Sequence, residues 1–320
     1  MTMNQSFSVI IPLYNKGNYI RRALDSVLSQ TYQDFEIIVV NDGSDDGGDA
    51  LVRSYLDKRI RLIDQANSGV SIARNTGVAA SHSDFICMLD ADDEWKPHFL
   101  EDMKSLLDDF PNHHIFSLRH EIVSTNGRLI NPTVSLPNGH RGIVENFIDT
   151  FTHSNGLINA SSVCLRKSYF LTLGGFPNGE SQGEDLYLWL LYALKTDIIF
   201  YDRIASCYYK DSTNRSIHRV CKKELPYHFS HFYSLLKQKQ FSKRYGKEKT
   251  SPLRRYLRNQ AILHTAALIA LDKRGIALAH SLRLFRLNKY TCFDCLLIQL
   301  FPSKLLGKVQ VARNYKRAPQ

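Results

Sequence analysis

The chain has 320 residues, 43% of them apolar, and carries 41 Lys and Arg against 31 Asp and Glu, for a formal net charge of +10. That length and apolar share make a globular protein with a sizeable core, in one large domain or two moderate ones. No run reaches the roughly 20 apolar residues of a spanning helix, and the first apolar stretch, Phe7 to Leu13, is short and interrupted by Pro12 and then Asn15, so neither a signal peptide nor a membrane span is expected.

The charge is unevenly placed. Residues 221–320 hold 21 Lys and Arg against 4 Asp and Glu, whereas residues 1–220 hold 20 against 27, an acidic front and a basic tail. The six cysteines are irregularly spaced, which fits reduced thiols in a cytoplasmic protein. Cys292 and Cys295 form a lone Cys-x-x-Cys among Phe293, Leu296 and Leu297, a setting for core packing rather than for zinc or redox chemistry.

In chain order, Phe7 to Leu13 reads as a strand, Tyr14 to Asn18 as a turn, and Tyr19 to Gln30 as a helix with Ile20, Ala23, Leu24, Val27 and Leu28 on one face. Phe35 to Val40 is a second buried strand, Gly48 to Leu56 a helix and Ile60 to Asp64 a third strand. Gly69 to Ala80 is a helix in which Ala73, Gly77 and Ala80 permit close approach, and a strand follows from Phe85 to Leu89. Strand, helix, strand implies parallel βαβ units. Each strand ends in polar residues: Tyr14 and Asn15, then Asp42, then Asn67 and Ser68, then Asp90 to Asp93. Parallel strands bring these ends to one rim, where open α/β sheets place ligands.

Asp90, Asp92 and Asp93 are the densest of these clusters. Carboxylates this close repel one another, and Mg²⁺ or Mn²⁺ holding a diphosphate would relieve that repulsion. The same residues also suit an acidic turn, with Asp92 or Asp93 as N-cap, Pro97 in the first turn and Phe99 to Leu107 as the helix. Asp42 has the chemistry to accept the N–H of a pyrimidine base, and Arg74 that to contact a phosphate or hold a site carboxylate; an Asx-turn and a surface ion pair are the plain alternatives. Neither a Gly-x-Gly-x-x-Gly fingerprint nor a P-loop is present.

Four motifs, in order, carry a resemblance: Val9-Ile10-Ile11-Pro12-Leu13-Tyr14-Asn15, Val39 to Asp46, Asn67 to Gly77 including Arg74, and Leu89-Asp90-Ala91-Asp92-Asp93. Together they are similar to the motifs of family 2 glycosyltransferases with the GT-A fold, clearly over about residues 7–100 and less so over 155–216. The resemblance implies a Rossmann-like mixed α/β sheet flanked by helices. It implies that Pro12, Tyr14 and Asp42 shape a base pocket, that Arg74 and Asp90 help hold the nucleotide, and that Asp92 bridges to the metal.

Residues 106–150 are less informative. Ile115 to Ser124 reads as a strand, and turns fall at Asn126-Gly127, Asn131-Pro132 and Pro137-Asn138-Gly139. Ser161 to Leu165 alternates as a strand would, Tyr169 to Leu173 is helical, and Gly183-Glu184-Asp185 precedes an apolar helix over Leu186 to Ala193. Two acids at a helix start suit the macrodipole without any chemistry. In the family, however, an Asp at this place is the catalytic base, which Asp185 matches; Glu184 and Trp95 are then candidates for the acceptor side. Ile198 to Tyr201 and Ala205 to Tyr209 read as strands. Related enzymes place a His or Arg in the next segment at the metal or diphosphate, which here points to Arg215 and His218, with His218 as a metal ligand.

From Cys221 on, Pro226 to Leu236, Leu253 to Leu271 and Gly275 to Leu287 read as helices with Lys and Arg interleaved, followed by an apolar patch over Cys292 to Phe301. Basic residues framing apolar helices suit an anionic membrane surface. A solvated basic domain or a homodimer surface is the alternative, and no nucleic-acid-binding signature is visible.

These readings give three parts: 1–105 for the nucleotide sugar, 106–220 for the acceptor, and 221–320 as a basic helical C-terminal region. The expected activity is that of a metal-dependent, inverting hexosyl- or N-acetylhexosaminyltransferase. It would move a sugar from a UDP-linked donor to a glycan or lipid-linked glycan in bacterial surface polysaccharide synthesis (lipopolysaccharide, O-antigen or capsule), on the inner face of the plasma membrane. A sugar-nucleotide-forming nucleotidyltransferase and a non-catalytic scaffold are the rivals.

Overall fold

A computed structural model describes residues 6–180, 182–212 and 225–302. The chain divides into two compact units, Met1–Phe147 with Ser154–Asn214, and Ile148–His153 with Arg215–Gln320.

The first unit is built on one mixed sheet. Strands β1 (Phe7–Leu13), β2 (Phe35–Asn41), β3 (Ile60–Asp64) and β4 (Phe85–Met88) run parallel in the order β3-β2-β1-β4, with Val9 aligned to Ile37 on one side and to Cys87 on the other. Every residue of β1 except Pro12, and every residue of β4, is buried, as expected of parallel strands covered on both faces. Helices α1 (Gly17–Leu28), α2 (Gly48–Arg53) and α3 (Val70–Ala80) make the crossovers. On α1, Ile20, Ala23, Leu24 and Val27 of the stripe read from the sequence are buried, together with Ser26, and Leu28 is partly buried. On α3, Gly77 lies so close to β1 that a Cβ there would sit 2.4 Å from Ile10 Cγ2. Only glycine admits that approach.

Beyond β4 the sheet continues through β9 (Val163–Arg166), β6 (Ile115–Val123), β10 (Ile199–Tyr209) and the two-residue β5 (Glu94–Trp95), so the first 105 residues and the next hundred share one sheet. Strands β7 (Leu129–Ile130) and β8 (Arg141–Ile143) pair with β6 and β10. Strand β10 is a single element with a register shift between Tyr201 and Ser206, where the sequence shows two runs. Two other local expectations are corrected. Ala160–Ser162 is a 3₁₀ turn leading into β9, so the strand starts at Val163. Helix α4 (Phe99–Asp109) is flanked by His98 at its N-cap, because β5 intervenes and the Asp93 side chain is engaged elsewhere.

The second unit contains α8 (Tyr227–Lys237), α9 (Lys239–Ala270), α10 (Arg274–Leu287) and α11 (Lys289–Ile298). Helix α9 bends at Gly246, whose φ of 63° and ψ of −178° lie outside the helical region. Its core includes Phe229, Phe232, Tyr233, Leu253, Tyr256 and Leu257, and the Tyr233 hydroxyl hydrogen-bonds Thr291 at 2.9 Å. Cys292 and Cys295 are buried free thiols, in line with the packing role expected of them.

Candidate active site

The carboxyl ends of the parallel strands and the start of α7 (Glu184–Lys195) supply the charged groups. Asp42, just past β2, is buried. Its Oδ1 accepts from Gln65 Nε2 (2.7 Å) and Ser68 N (2.8 Å), and its Oδ2 from Gly69 N (2.9 Å). Asp42 therefore ties the entrance of α3 to the end of β2. Pro12 lies at the end of β1, with Tyr14 one residue beyond the strand, on the same rim and half-buried.

Arg74, on α3, is the centre of the cluster. It is buried; Nη2 donates to Asp90 Oδ1 at 2.8 Å and Nη1 to Glu184 Oε1 at 3.1 Å. Its guanidinium lies over the Phe176 ring at 5.1 Å. Burial would lower its pKa, but Asp90 and Glu184 outweigh that and hold it above the ordinary value. One arginine thus joins the strand end after β4, 16 residues from it in sequence, to the start of α7, 110 residues from it.

Asp185 follows in the first turn of α7, its Oδ1 accepting from Leu186 N at 2.7 Å. Burial raises its pKa, with Arg74 pulling the other way. Burial and the adjacent Asp185 push Glu184 up to about 7 against the pull of Arg74. The Glu184 carboxylate is bound to Arg74, which gives it a positioning place rather than an open one.

The three aspartates after β4 face different partners. Asp93 is buried; Ser161 Oγ donates to its Oδ2 at 2.5 Å and Tyr209 N to its Oδ1 at 3.0 Å. Burial, with Asp92 and Asp90 nearby, raises its pKa well above the ordinary value. The Asp90 side chain is 31% exposed and that of Asp92 16%. Lys16 Nζ pairs with Asp92 Oδ2 at 2.6 Å and also donates to Ser212 Oγ. Among the described residues no three or more His, Cys, Asp or Glu side chains gather as a metal cage. A Mg²⁺ or Mn²⁺ site of the open kind needs only one or two carboxylates, completed by water and phosphate oxygens. The partly exposed, hard oxygen donors of Asp92 fit that kind of site, and the inward-turned Asp93 does not.

Trp95 is placed differently from the expectation. It is 2% exposed, its ring stacks on Phe99 at 3.9 Å, and Nε1 donates to Ser161 O at 2.7 Å. It belongs to the core, with a face already covered, so a sugar has no ring surface there to stack on. Arg215 and His218 lie outside the described residues. The sequence gives no site role to Lys16, Ser161 or Ser212, which the structure joins to Asp92 and Asp93. Only Lys16 carried a local signal, since it lies in the turn directly after β1.

A mixed sheet with this strand order, helices on its faces and a carboxylate cluster at the rim defines a GT-A-type α/β protein. Its structure is similar to that of S. aureus TarS residues 1–349 in complex with UDP-GlcNAc, with a TM-score of 0.70 and 17% identity, covering 98% of this chain and 93% of that one. Residues 8–162, just under half of the chain, match the family model described as Glycosyl transferase family 2, and the match assigns this part of the chain to that family. An uncharacterized glycosyltransferase of Rickettsia felis is 35% identical over 188 residues, 57% of this chain and 30% of that protein. Glycosyltransferase GlyA of Streptococcus pneumoniae is 40% identical over 103 residues, 32% of this chain and 15% of that protein. The chain thus spans less than a third of the length of these two relatives.

Proposed function

We propose that the chain is an inverting glycosyltransferase that moves a hexosyl or N-acetylhexosaminyl group from a UDP-linked donor to a hydroxyl of a glycan or lipid-linked glycan, in bacterial surface polysaccharide synthesis. The observation that carries this reading is the Arg74 bridge: it draws the donor-side carboxylate Asp90 and the helix start bearing Asp185 into one polar cluster around the buried guanidinium. Glycosyl transfer needs both sides. The donor brings its own leaving group, so a single carboxylate acting as base on the acceptor hydroxyl suffices, and direct displacement inverts the anomeric centre. Asp185 has that role: its burial makes it a better base than an exposed aspartate. Glu184 and Arg74 position it, and Asp42 with Pro12 and Tyr14 frames the base of the nucleotide. Mn²⁺ or Mg²⁺ held at Asp92 would offset the charge on the departing diphosphate. The UDP-GlcNAc in the TarS structure of like fold supports a UDP donor. A nucleotidyltransferase would have no use for a base on the acceptor side.

The helical unit supports attachment to an anionic membrane surface. Leu278, Leu282 and Phe285 on α10 and Tyr290, Phe293 and Leu297 on α11 are exposed at helical spacing, with Arg283, Arg286 and Lys289 among them. No helix among the described residues is long and apolar enough to cross a membrane.

The test of the chemistry is Asp185→Asn, assayed with UDP-sugars for transfer and, separately, for donor binding. Donor binding is expected to persist while transfer slows by about 10²- to 10⁴-fold. Transfer at the wild-type rate would remove Asp185 from the role of base.

A further inference from the structure

We infer that Lys16 is a built-in counter-cation that holds Asp92 closed to a bare divalent metal ion and yields it only when a diphosphate accompanies the metal. The inference rests on reading Asp92 as the metal-bridging residue. It starts from a charge balance. Asp90, Asp92 and Asp93 lie within four residues, and each has its own compensation: Arg74 for Asp90, the Ser161 hydroxyl and Tyr209 N–H for Asp93, and Lys16 for Asp92. Arg74 is locked between two carboxylates. Lys16 alone among these partners sits on a carboxylate oxygen, Oδ2, of Asp92, the residue read as bridging to the metal.

The contact is built rather than incidental. Lys16 lies in the turn between β1 and α1, which is pinned at several points: Asn15 N donates to Ser44 Oγ at 3.2 Å, Asp45 N to Asn15 Oδ1 at 3.0 Å, and Gly17 N to Asp46 Oδ2 at 2.7 Å. Asn15 holds a left-handed φ of 49° to make that turn. The Lys16 side chain is only 13% exposed, and its ammonium is shared between Asp92 and the buried Ser212. One turn further along α1, Arg22 donates to the Asp92 main-chain oxygen and pairs with Asp211 at 3.0 Å, while the Tyr19 hydroxyl donates to Asp211 O at 3.2 Å. The start of α1 thus grips both Asp92 and residues 211–212.

An ammonium 2.6 Å from Asp92 Oδ2 and a divalent ion bonded to the same oxygen repel each other. Metal binding therefore carries the cost of displacing Lys16. A diphosphate offsets that cost by adding negative charge and oxygen ligands to the metal. The order of events follows: metal and nucleotide bind together, and metal alone binds poorly.

The experiment measures Mn²⁺ binding to the full chain by electron paramagnetic resonance of the free ion, with no nucleotide, for wild type, Lys16→Met, Lys16→Gln and Lys16→Met with Asp92→Asn. At least a tenfold tighter Mn²⁺ site is expected in both single variants, lost again in the double variant, with the gap to wild type closing when UDP is added. Thermal melts of each variant show which are folded, and the glutamine variant keeps a hydrogen-bond donor should the methionine variant not fold. Mn²⁺ affinities equal to or weaker than wild type in the single variants would overturn the role of Lys16. UDP binding to wild type with Mn²⁺ is read in the same series. Its presence beside unchanged Mn²⁺ affinities strikes Lys16 alone, and its absence strikes the reading of Asp92 on which the inference stands.

Discussion

The two units handle charge in opposite ways. In the sheet unit, charged side chains at the strand ends are drawn inward and cross-linked, with Arg74 between Asp90 and Glu184 and Lys16 on Asp92. In the helical unit the charge is mostly on the surface: Arg255 with Asp149 and Arg258 with Asp294 are exposed pairs, and apolar side chains such as Phe285, Phe293 and Leu300 face outward. A site that must stabilise a charged transition state needs fixed dipoles and ions in a dry setting. A surface that meets another surface needs apolar area framed by like charge.

The contrast breaks most visibly at the base. Asp185→Asn is expected to slow transfer by about 10²- to 10⁴-fold, the usual worth of a positioned general base, in a coupled assay of UDP release. Next comes the buried bridge. Arg74→Met leaves Asp90 and Glu184 without their cation, and urea denaturation is expected to show a loss of about 3–5 kcal/mol; a loss under 1 kcal/mol would mean that the cluster is not held together as described. In the helical unit, Phe285→Glu with Phe293→Glu is expected to abolish sedimentation with anionic vesicles while leaving the melting temperature unchanged. Retained sedimentation, or a change of oligomeric state instead, would assign that face to another partner. Gly77→Ala should cost about 1–3 kcal/mol through overpacking against Ile10.

The smallest effects are slopes with pH, and they have opposite signs in the two units. Glu184 is raised from 4.5 to about 7 when folded, so its protonated form favours folding and that contribution is lost as pH rises from about 4.5 through 7. His264 lies 3.2 Å from His280 through ring nitrogens, and burial, with His280 beside it, lowers it to about 4. The folded state therefore keeps His264 neutral, and stability is lost as pH falls from about 6.5 towards 4. Glu184→Gln should reduce the first slope, to which Asp93 and Asp185 also contribute, and His264→Gln the second, to which His231 contributes, each measured by thermal melts across pH 4–8.

What the sequence disclosed follows the same division. The parallel strands and the residues at their ends were legible because a buried parallel strand is a short apolar run that stops at a polar turn, and the ligand rim lies at those stops. The separate fates of Asp90, Asp92 and Asp93 were not legible, since they depend on partners 16, 76 and 68 residues away. Glu184 reads locally as a helix-start acid, and only the fold brings it to Arg74. Trp95 beside three carboxylates looks like a sugar platform until β5 and α4 turn its ring onto Phe99. In the tail, helical spacing showed where helices lie, while the part of α9 before the break at Gly246 is largely polar and offers no apolar stripe to read.

The most direct test of the central claim is a calorimetric titration of UDP, GDP, CDP and dTDP, with and without Mn²⁺, into wild-type protein and into Asp92→Ala. A glycosyltransferase using a UDP-sugar at this rim is expected to bind UDP in preference to the others, to need the metal, and to lose that binding in the variant. Failure to bind any of the four nucleotides, or metal-independent binding that Asp92→Ala leaves intact, would contradict it.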